Sequence, residues 1–188
     1  MNKKITNSTN NFGNLTLITK AFQNCYLNSE KTKSLFFNLI NTPDGDYSRY
    51  IFFYLNHLLE NNKYNTAKSI SSSIDPLNST LLVSQTKKWI VNSNYNAITK
   101  YFSCKSESDI LSEFFFLISN LYSSQGKYKK SNFYMNISNY LNPKFYFNLS
   151  LISENYFKNN NLDLAKKFLE KFDKKNEVYY WYKVKKIA

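Results

Sequence analysis

Glycine and proline are scarce in this chain of 188 residues, which contains only three of each. So little turn chemistry argues against a fold made of many short strands joined by tight turns. The three glycines, Gly13, Gly45 and Gly126, lie far apart. They cannot form a phosphate-binding loop, which needs several glycines close together before a helix. The sequence therefore favours helices and gives no support to nucleotide hydrolysis.

Histidine and cysteine are also scarce, with one His and two Cys. No spacing resembles a set of zinc ligands, so a zinc module is excluded. Cys25 and Cys104 are far apart in the sequence, and we predict that each is an unpaired, small buried apolar residue. His57 lies in an apolar helical segment without a nucleophile motif, so we do not expect it to be a catalytic base. The expectation is a non-enzymatic protein without metal or other cofactor.

Long apolar runs are missing as well. The longest, such as residues 51–55 and 114–118, are five residues each, whereas a membrane-spanning helix needs about 20. Lys3 and Lys4 are followed by a polar segment and not by the apolar core of an export signal. We therefore predict a flexible N-terminal lead over residues 1–14 and a cytoplasmic protein without a transmembrane segment. If the chain is a fragment that lacks an upstream export signal, a periplasmic location is the alternative.

Aromatic residues and lysines are abundant. The chain has 16 Phe, 16 Tyr and 2 Trp, enough for a large core, and its formal net charge is +12. The basic excess is strongest in residues 127–188, which contain 13 Lys and 5 acidic residues. A basic helical protein that binds nucleic acid or another anionic surface is thus an alternative function. Because base and bidentate phosphate contacts favour arginine, and the chain has a single Arg, we do not expect specific nucleic-acid binding.

A helical hairpin that recurs along the chain is the most informative pattern. In residues 112–143, Phe115, Ile118 and Tyr122 recur at helical spacing, Gly126 breaks the helix, and a second helix follows. The same pattern returns 34 residues later and is also present upstream, in one copy with more polar residues. The residues that open the second helices are Tyr64, Tyr95, Tyr128 and Leu162.

These units define one predicted helical-repeat domain over residues 15–188. The predicted hairpins span residues 15–42 (divergent), 47–76, 79–106, 112–143 and 146–176, and a final helix spans 177–188. The final helix is aromatic on more than one side. We therefore expect it to pack on a further repeat or another chain, or the protein to continue past Ala188.

The hairpin of residues 112–143 resembles the tetratricopeptide repeat family. The resemblance rests on Phe115-x-x-Ile118-Ser119-x-x-Tyr122, followed by Gly126-x-Tyr128, Ser131-x-x-x-Met135, Ser138 and Pro143. It covers roughly residues 47–188 and is similar to bacterial proteins of this kind. It implies an all-α fold, a right-handed superhelical stack of antiparallel helix pairs (an α–α solenoid), and small residues, such as Ser119, where two helices cross closely.

The resemblance also implies a function, because proteins of this family bind peptides or partner helices in the concave groove lined by their first helices. The predicted lining of this groove is mixed but largely apolar. Among its polar members, we expect Asn56, Lys87 and Asn120 to orient a partner. The same aromatic residues are also suited to filling the core between neighbouring hairpins. The predicted groove residues are Arg49, Phe52, Phe53, Asn56, Lys87, Ile90, Phe116, Leu117, Asn120, Leu151, Glu154 and Phe157. The expected function is a protein–protein interaction scaffold whose partner the sequence does not identify.

Overall fold

The fold is known from a computed structural model that describes residues 15–42, 46 and 48–188. The described residues form α-helices and one short 3-10 helix (Tyr146–Asn148), with no strand among them. The predicted N-terminal lead lies outside the described residues. The α-helices are α1 (Leu15–Tyr26), α2 (Thr32–Ile40), α3 (Tyr50–Glu60), α4 (Tyr64–Ser72), α5 (Leu81–Val91), α6 (Asn96–Thr99), α7 (Glu107–Ser124), α8 (Tyr128–Leu141), α9 (Leu149–Lys158), α10 (Leu162–Leu169) and α11 (Glu177–Ile187).

Several helices begin at a polar capping side chain. The Ser106 hydroxyl accepts a hydrogen bond from the Asp109 N–H at the start of α7, and the acidic side chains of its first turn suit the positive end of the helix dipole. Thr80 caps α5 and Asn161 caps α10 in the same way. Short polar residues between the apolar segments thus fix where these helices begin.

One type of turn closes the first helix of every hairpin. Its central residue has positive φ at Asn28, Asn62, Ser93, Gly126 and Asn160, the conformation that ends many helices. In each case the N–H of the next residue donates to the carbonyl five positions before it, at 2.8–2.9 Å. Glycine adopts this conformation freely and asparagine tolerates it. The scarcity of glycine in the chain is therefore offset here largely by asparagine.

The two C-terminal hairpins also repeat their internal contacts at an offset of 34 residues. The Ser119 hydroxyl donates to the Ser131 carbonyl between α7 and α8, and the Ser153 hydroxyl donates to the Ala165 carbonyl between α9 and α10. Ring stacking repeats in the same way: Tyr122 stacks on Tyr134, and Tyr156 stacks on Phe168. The small residues at these crossings, Ser119, Ser131, Ser153 and Ala165, are buried, as expected where two helices cross closely.

The core is centred on α3, in which nine residues are buried. Phe53 contacts Phe22 of α1, Phe102 and Phe145 at ring-centroid distances of 5.1, 4.7 and 6.1 Å. Such edge-to-face and tilted pairs add to the hydrophobic gain of burial. Because rings from α1 and from the segments before and after α7–α8 meet on α3, this helix lies inside the molecule and not along an exposed face.

A disulfide joins Cys25 of α1 to Cys104, in the loop between α6 and α7. The prediction that both cysteines are unpaired is therefore wrong, although both are buried as expected. The bond closes a loop of 79 residues that only the tertiary fold brings together, so local spacing carries no signal for it.

The final helix packs across the molecule. Tyr179 is buried against Phe147 and Phe172, while the Val178 N–H donates to Gln85 of α5 and Lys88 of α5 pairs with Glu177. Helix α11 therefore connects the third hairpin to the last one. The contacts of Tyr179 are within the chain, and the expected packing of this helix on a further repeat or another chain stays a prediction.

Candidate functional site

A depression of about 490 Å³ opens between the starts of α3 and α5 and the helices α7, α9 and α11. Its lining is mixed, with aromatic, aliphatic, amide and charged side chains. The lining residues are Asp46, Arg49, Thr80, Leu81, Leu82, Phe116, Asn120, Asn148, Ser150, Leu151, Glu154, Tyr179 and Tyr182. Its volume lies within the range of clefts that bind small ligands or the side chains of a peptide.

Arg49 forms the floor of the depression, and its guanidinium pairs with the buried carboxylate of Glu113. The Nε and Nη2 atoms of Arg49 donate to the two carboxylate oxygens of Glu113, both at 2.8 Å, and Nη2 also donates to Asn148 at 2.7 Å. The guanidinium lies over the Phe116 ring, 3.9 Å from its centroid. Bidentate geometry and ring stacking are the contacts for which arginine is better suited than lysine. The single arginine of the chain is thus held in one orientation.

Burial affects both partners of this pair. Removal from water opposes the charge on Arg49, but the Glu113 carboxylate raises the pKa of the guanidinium above its ordinary value. Burial raises the pKa of Glu113, and the contact with Arg49 counteracts that effect. Only 17% of the Arg49 side chain and 1% of the Glu113 side chain are exposed. Each charge therefore depends on the other for its stability inside the protein.

Helix α11 provides one wall of the depression through Tyr179 and Tyr182. The Tyr182 hydroxyl donates to Glu154 of α9, which also forms an ion pair with Lys186 at 2.8 Å. Burial opposes the charge on Glu154, yet these contacts lower its pKa below the ordinary value. Burial, together with the bond to Glu154, raises the pKa of Tyr182. In this wall the neutral phenol of Tyr182 therefore donates a hydrogen bond to the charged carboxylate of Glu154.

Five of the predicted groove residues lie together around this depression. Arg49 forms its floor, Phe116 and Leu151 supply apolar surface, Glu154 lies at the wall, and Asn120 is exposed. They come from α7, from α9 and from the residue before α3, segments that are distant in the sequence. The structure thus brings together a subset of the predicted residues, and their role in binding stays a prediction.

Four predicted groove residues lie in the core instead. Phe52, Phe53, Asn56 and Ile90 are at most 1% exposed, so their assignment to a concave surface is wrong. The Asn56 amide donates to the carbonyl of Phe102 at 2.7 Å, a structural bond inside the molecule. The error arises because α3 is covered on the side that a regular stack would leave open.

The other three predicted residues lie elsewhere. Lys87 donates to the carbonyl of Ile74, and Leu117 is partly buried against the core. Phe157 is half exposed beneath the Lys186 ammonium, in a second depression of about 300 Å³ formed by α9, α10 and the end of α11. The sequence suggested that Lys87 orients a partner together with Asn120. The Lys87 ammonium is instead bonded to the Ile74 carbonyl, and Lys87 does not line the depression.

Sequence reasoning missed eight of the thirteen lining residues, among them Asn148, Tyr179 and Tyr182. The aromatic content of α11 was the available signal for the two tyrosines, since a helix that is aromatic on more than one side must cover something. No comparable signal exists for Asn148, which meets Arg49 across 99 positions of sequence.

His57 offers no catalytic arrangement. Its Nδ1 atom lies 3.5 Å from the Cys25 sulfur and 3.4 Å from the Asn61 amide nitrogen. Cys25 is bonded to Cys104 and cannot act as a thiolate nucleophile in this state. Burial, then the nearby charges of Lys63 and Lys105, lower the pKa of His57. A search of the described residues for groups of three or more His, Cys, Asp or Glu that could hold a metal ion finds none.

Comparisons with known proteins find no matching family model, no matching curated protein and no matching solved structure. In the part of the chain that the structure describes, no helix is long and apolar enough to cross a membrane. Fold and site therefore define an all-helical protein, and its function has to be argued from the residues around the depression.

Proposed function

We propose that the protein is a non-enzymatic scaffold that binds a peptide or partner helix of another protein in the depression between α7, α9 and α11. The observation that carries the proposal is the convergence of Phe116, Asn120 and Leu151 above the fixed Arg49–Glu113 pair. Apolar surface supplies most of the affinity at such sites, and a few well-placed polar groups fix the orientation of the ligand.

The repeated turns and helix contacts support a further proposal about architecture. Five hairpins with one turn type, and contacts that recur at 34 residues, are the features expected of tetratricopeptide-like repeats in a right-handed α–α solenoid. In a stack of this type the first helices face the groove, and α7 and α9 are first helices of their hairpins. The depression is then the part of the groove that α11 leaves open.

Several observations disfavour nucleic acid as the partner. Arg49, the single arginine, is held by Glu113 and Asn148 and is therefore not available for bidentate contacts with bases or phosphates. Lysines such as Lys129, Lys130, Lys166 and Lys167 are exposed on second helices, outside the depression. Solvated lysines at these positions are ordinary surface residues.

The disulfide supports a compartment different from the cytoplasmic one that the sequence suggests. Buried disulfides persist in oxidising environments such as the bacterial periplasm and are rare in the cytosol. We therefore propose that the protein acts in an oxidising compartment. Trapping of free thiols with a maleimide in denatured whole cells, without reductant, should leave Cys25 and Cys104 unlabelled. Full labelling of both would contradict this location.

A matched pair of substitutions tests the binding site. Asn120→Arg places bulk and charge at an exposed position in the depression, and Asn65→Arg makes the same change at an exposed position of α4. In chemical cross-linking of the tagged protein in its native cell, we expect Asn120→Arg to lower recovery of the partner by about tenfold, the effect of losing one well-packed contact. Asn65→Arg should leave recovery unchanged. Equal recovery with both variants would contradict the proposed site.

A further inference from the structure

Helix α11 has an outward face that the depression between α7, α9 and α11 does not use, although Ile187 at its end also borders the second depression. Trp181, Val184 and Ile187 are 61%, 36% and 42% exposed, and the ring of Tyr180 lies beside that of Trp181. At 100° per residue these four side chains fall within about 120° of the helix circumference. The body-facing side chains, Tyr179 and Tyr182, are on the other side. We call Tyr180, Trp181, Val184 and Ile187 the outer face of α11.

Lysines flank the outer face on both sides. Lys185 is exposed on one edge. Lys183, on the other edge, is part-buried: its ammonium lies 5.4 Å from the Tyr180 ring centroid and donates to the Phe172 carbonyl, while Lys174 lies 6.0 Å from the same ring. Residues 171–188 contain six lysines and two acidic residues. The one carboxylate on α11, that of Glu177, is paired with Lys88. Lys186 is paired with Glu154, and the exposed Lys174 and Lys185 leave the surroundings of the outer face positive.

We propose that the outer face of α11 docks on an anionic lipid surface. Helices that lie in a membrane interface bury one apolar face, and Trp and Tyr favour the level of the headgroups. Flanking lysines extend their charged ends to the lipid phosphates while their alkyl stems cover the apolar face. The outer face of α11 has this arrangement, with Trp181 as its largest exposed ring.

The composition favours a lipid surface over the two other classes of partner. Lysine is depleted at protein–protein interfaces, where arginine is enriched, and the flanks of this face contain lysine alone. Specific nucleic-acid binding also favours arginine. Attraction to a lipid surface needs only positive charge near the headgroups and a modest apolar wedge. This docking is independent of the depression, which lies on the opposite side of α11, so either activity can fail without the other.

Vesicle binding tests the proposal with two readouts on the full chain. The probes are vesicles of phosphatidylcholine alone and of phosphatidylcholine mixed with phosphatidylglycerol. We expect co-sedimentation with the anionic vesicles only, and a blue shift of tryptophan emission because Trp181 leaves water. Trp89 is 4% exposed and should not respond, so Trp181→Phe should remove the shift while the protein still co-sediments.

A charge-matched control separates this surface from the general basicity of the chain. In Lys174→Gln/Lys185→Gln, two lysines beside the outer face are neutralised, and we expect roughly 30-fold weaker binding, since each lysine near an anionic surface contributes about a factor of five. Lys129→Gln/Lys130→Gln makes the same change on α8 and should bind like the wild type. Equal weakening of both variants, no co-sedimentation of the wild type, or tighter binding to a single-stranded oligonucleotide than to anionic vesicles would each overturn the proposal.

Discussion

At the scale of single residues, Arg49 and Glu113 link the two halves of the chain at the floor of the depression. A buried ion pair of this kind contributes little net stability, because desolvation of both charges offsets their attraction. Loss of one partner is different, since it leaves a charge without compensation. The pair therefore serves to fix the position of the guanidinium under Phe116 and beside Asn148.

Removal of one member of the pair should be more harmful than removal of both. We expect Glu113→Gln to lower the free energy of unfolding by about 3 kcal/mol, because Arg49 is then left buried and unpaired. Arg49→Met/Glu113→Leu should recover most of that loss, since no charge remains to be desolvated. Urea denaturation of the three proteins measures both effects. A double variant less stable than Glu113→Gln would show that the pair itself holds the fold together.

His57 predicts a dependence of stability on pH. Its pKa in the folded protein is lowered from 6.5 by burial, Lys63 and Lys105. As the pH falls through the ordinary value, the unfolded chain binds a proton that the folded protein does not yet bind, so stability decreases. We expect the urea midpoint of the wild type to fall relative to that of His57→Gln between pH 7 and pH 5. If the two proteins changed in parallel, the imidazole would have no such role.

At the scale of helices and turns, the sequence predicted the repeated units well where the signals are local. The starts of α4, α8 and α10 fall on Tyr64, Tyr128 and Leu162 as expected, because asparagine- or glycine-containing turns precede them. The third hairpin, of α5 and α6, is less regular: only the short α6 follows Tyr95, in the copy whose pattern is the most polar. Local turn signals and periodicity thus account for the starts of α4, α8 and α10.

The positions of α3 and α11 could not be predicted in the same way. Whether Phe52 and Phe53 face a groove or the core depends on Phe22, Phe102 and Phe145, which reach α3 from distant parts of the chain. Periodicity identifies an apolar face but not what covers it. For the same reason periodicity identified lining residues on α7 and α9 but not Asn148, Tyr179 and Tyr182, which long-range packing brings to the depression.

The disulfide also acts at the scale of helices, because it joins α1 covalently to the loop before α7. A bond that closes a loop of this length restricts the unfolded chain strongly. We expect Cys25→Ala/Cys104→Ala to lower the free energy of unfolding by about 4 kcal/mol. Urea denaturation with and without reductant measures it, and the reduced wild type should resemble the variant. An unchanged midpoint after complete reduction would contradict this role.

At the scale of the whole molecule, helix α11 separates two surfaces with different chemistry. One side closes the depression with Tyr179 and Tyr182, and the other carries the exposed Trp181 among lysines. Part of the net charge of +12 is therefore concentrated at the C-terminal end, where exposed lysines surround exposed aromatic rings. The scaffold that we propose binds its protein partner on the first surface and an anionic lipid surface on the second.

Site-directed photo-cross-linking tests the central claim, protein binding in the depression, most directly. A photoreactive amino acid replaces Asn120 in one variant and Asn65 in the other, both exposed positions. After irradiation of native cells, the account predicts that the variant labelled at position 120 is joined to one defined protein, and that position 65 gives no such product. The same product in equal amount from both positions, or none from position 120, would contradict the account.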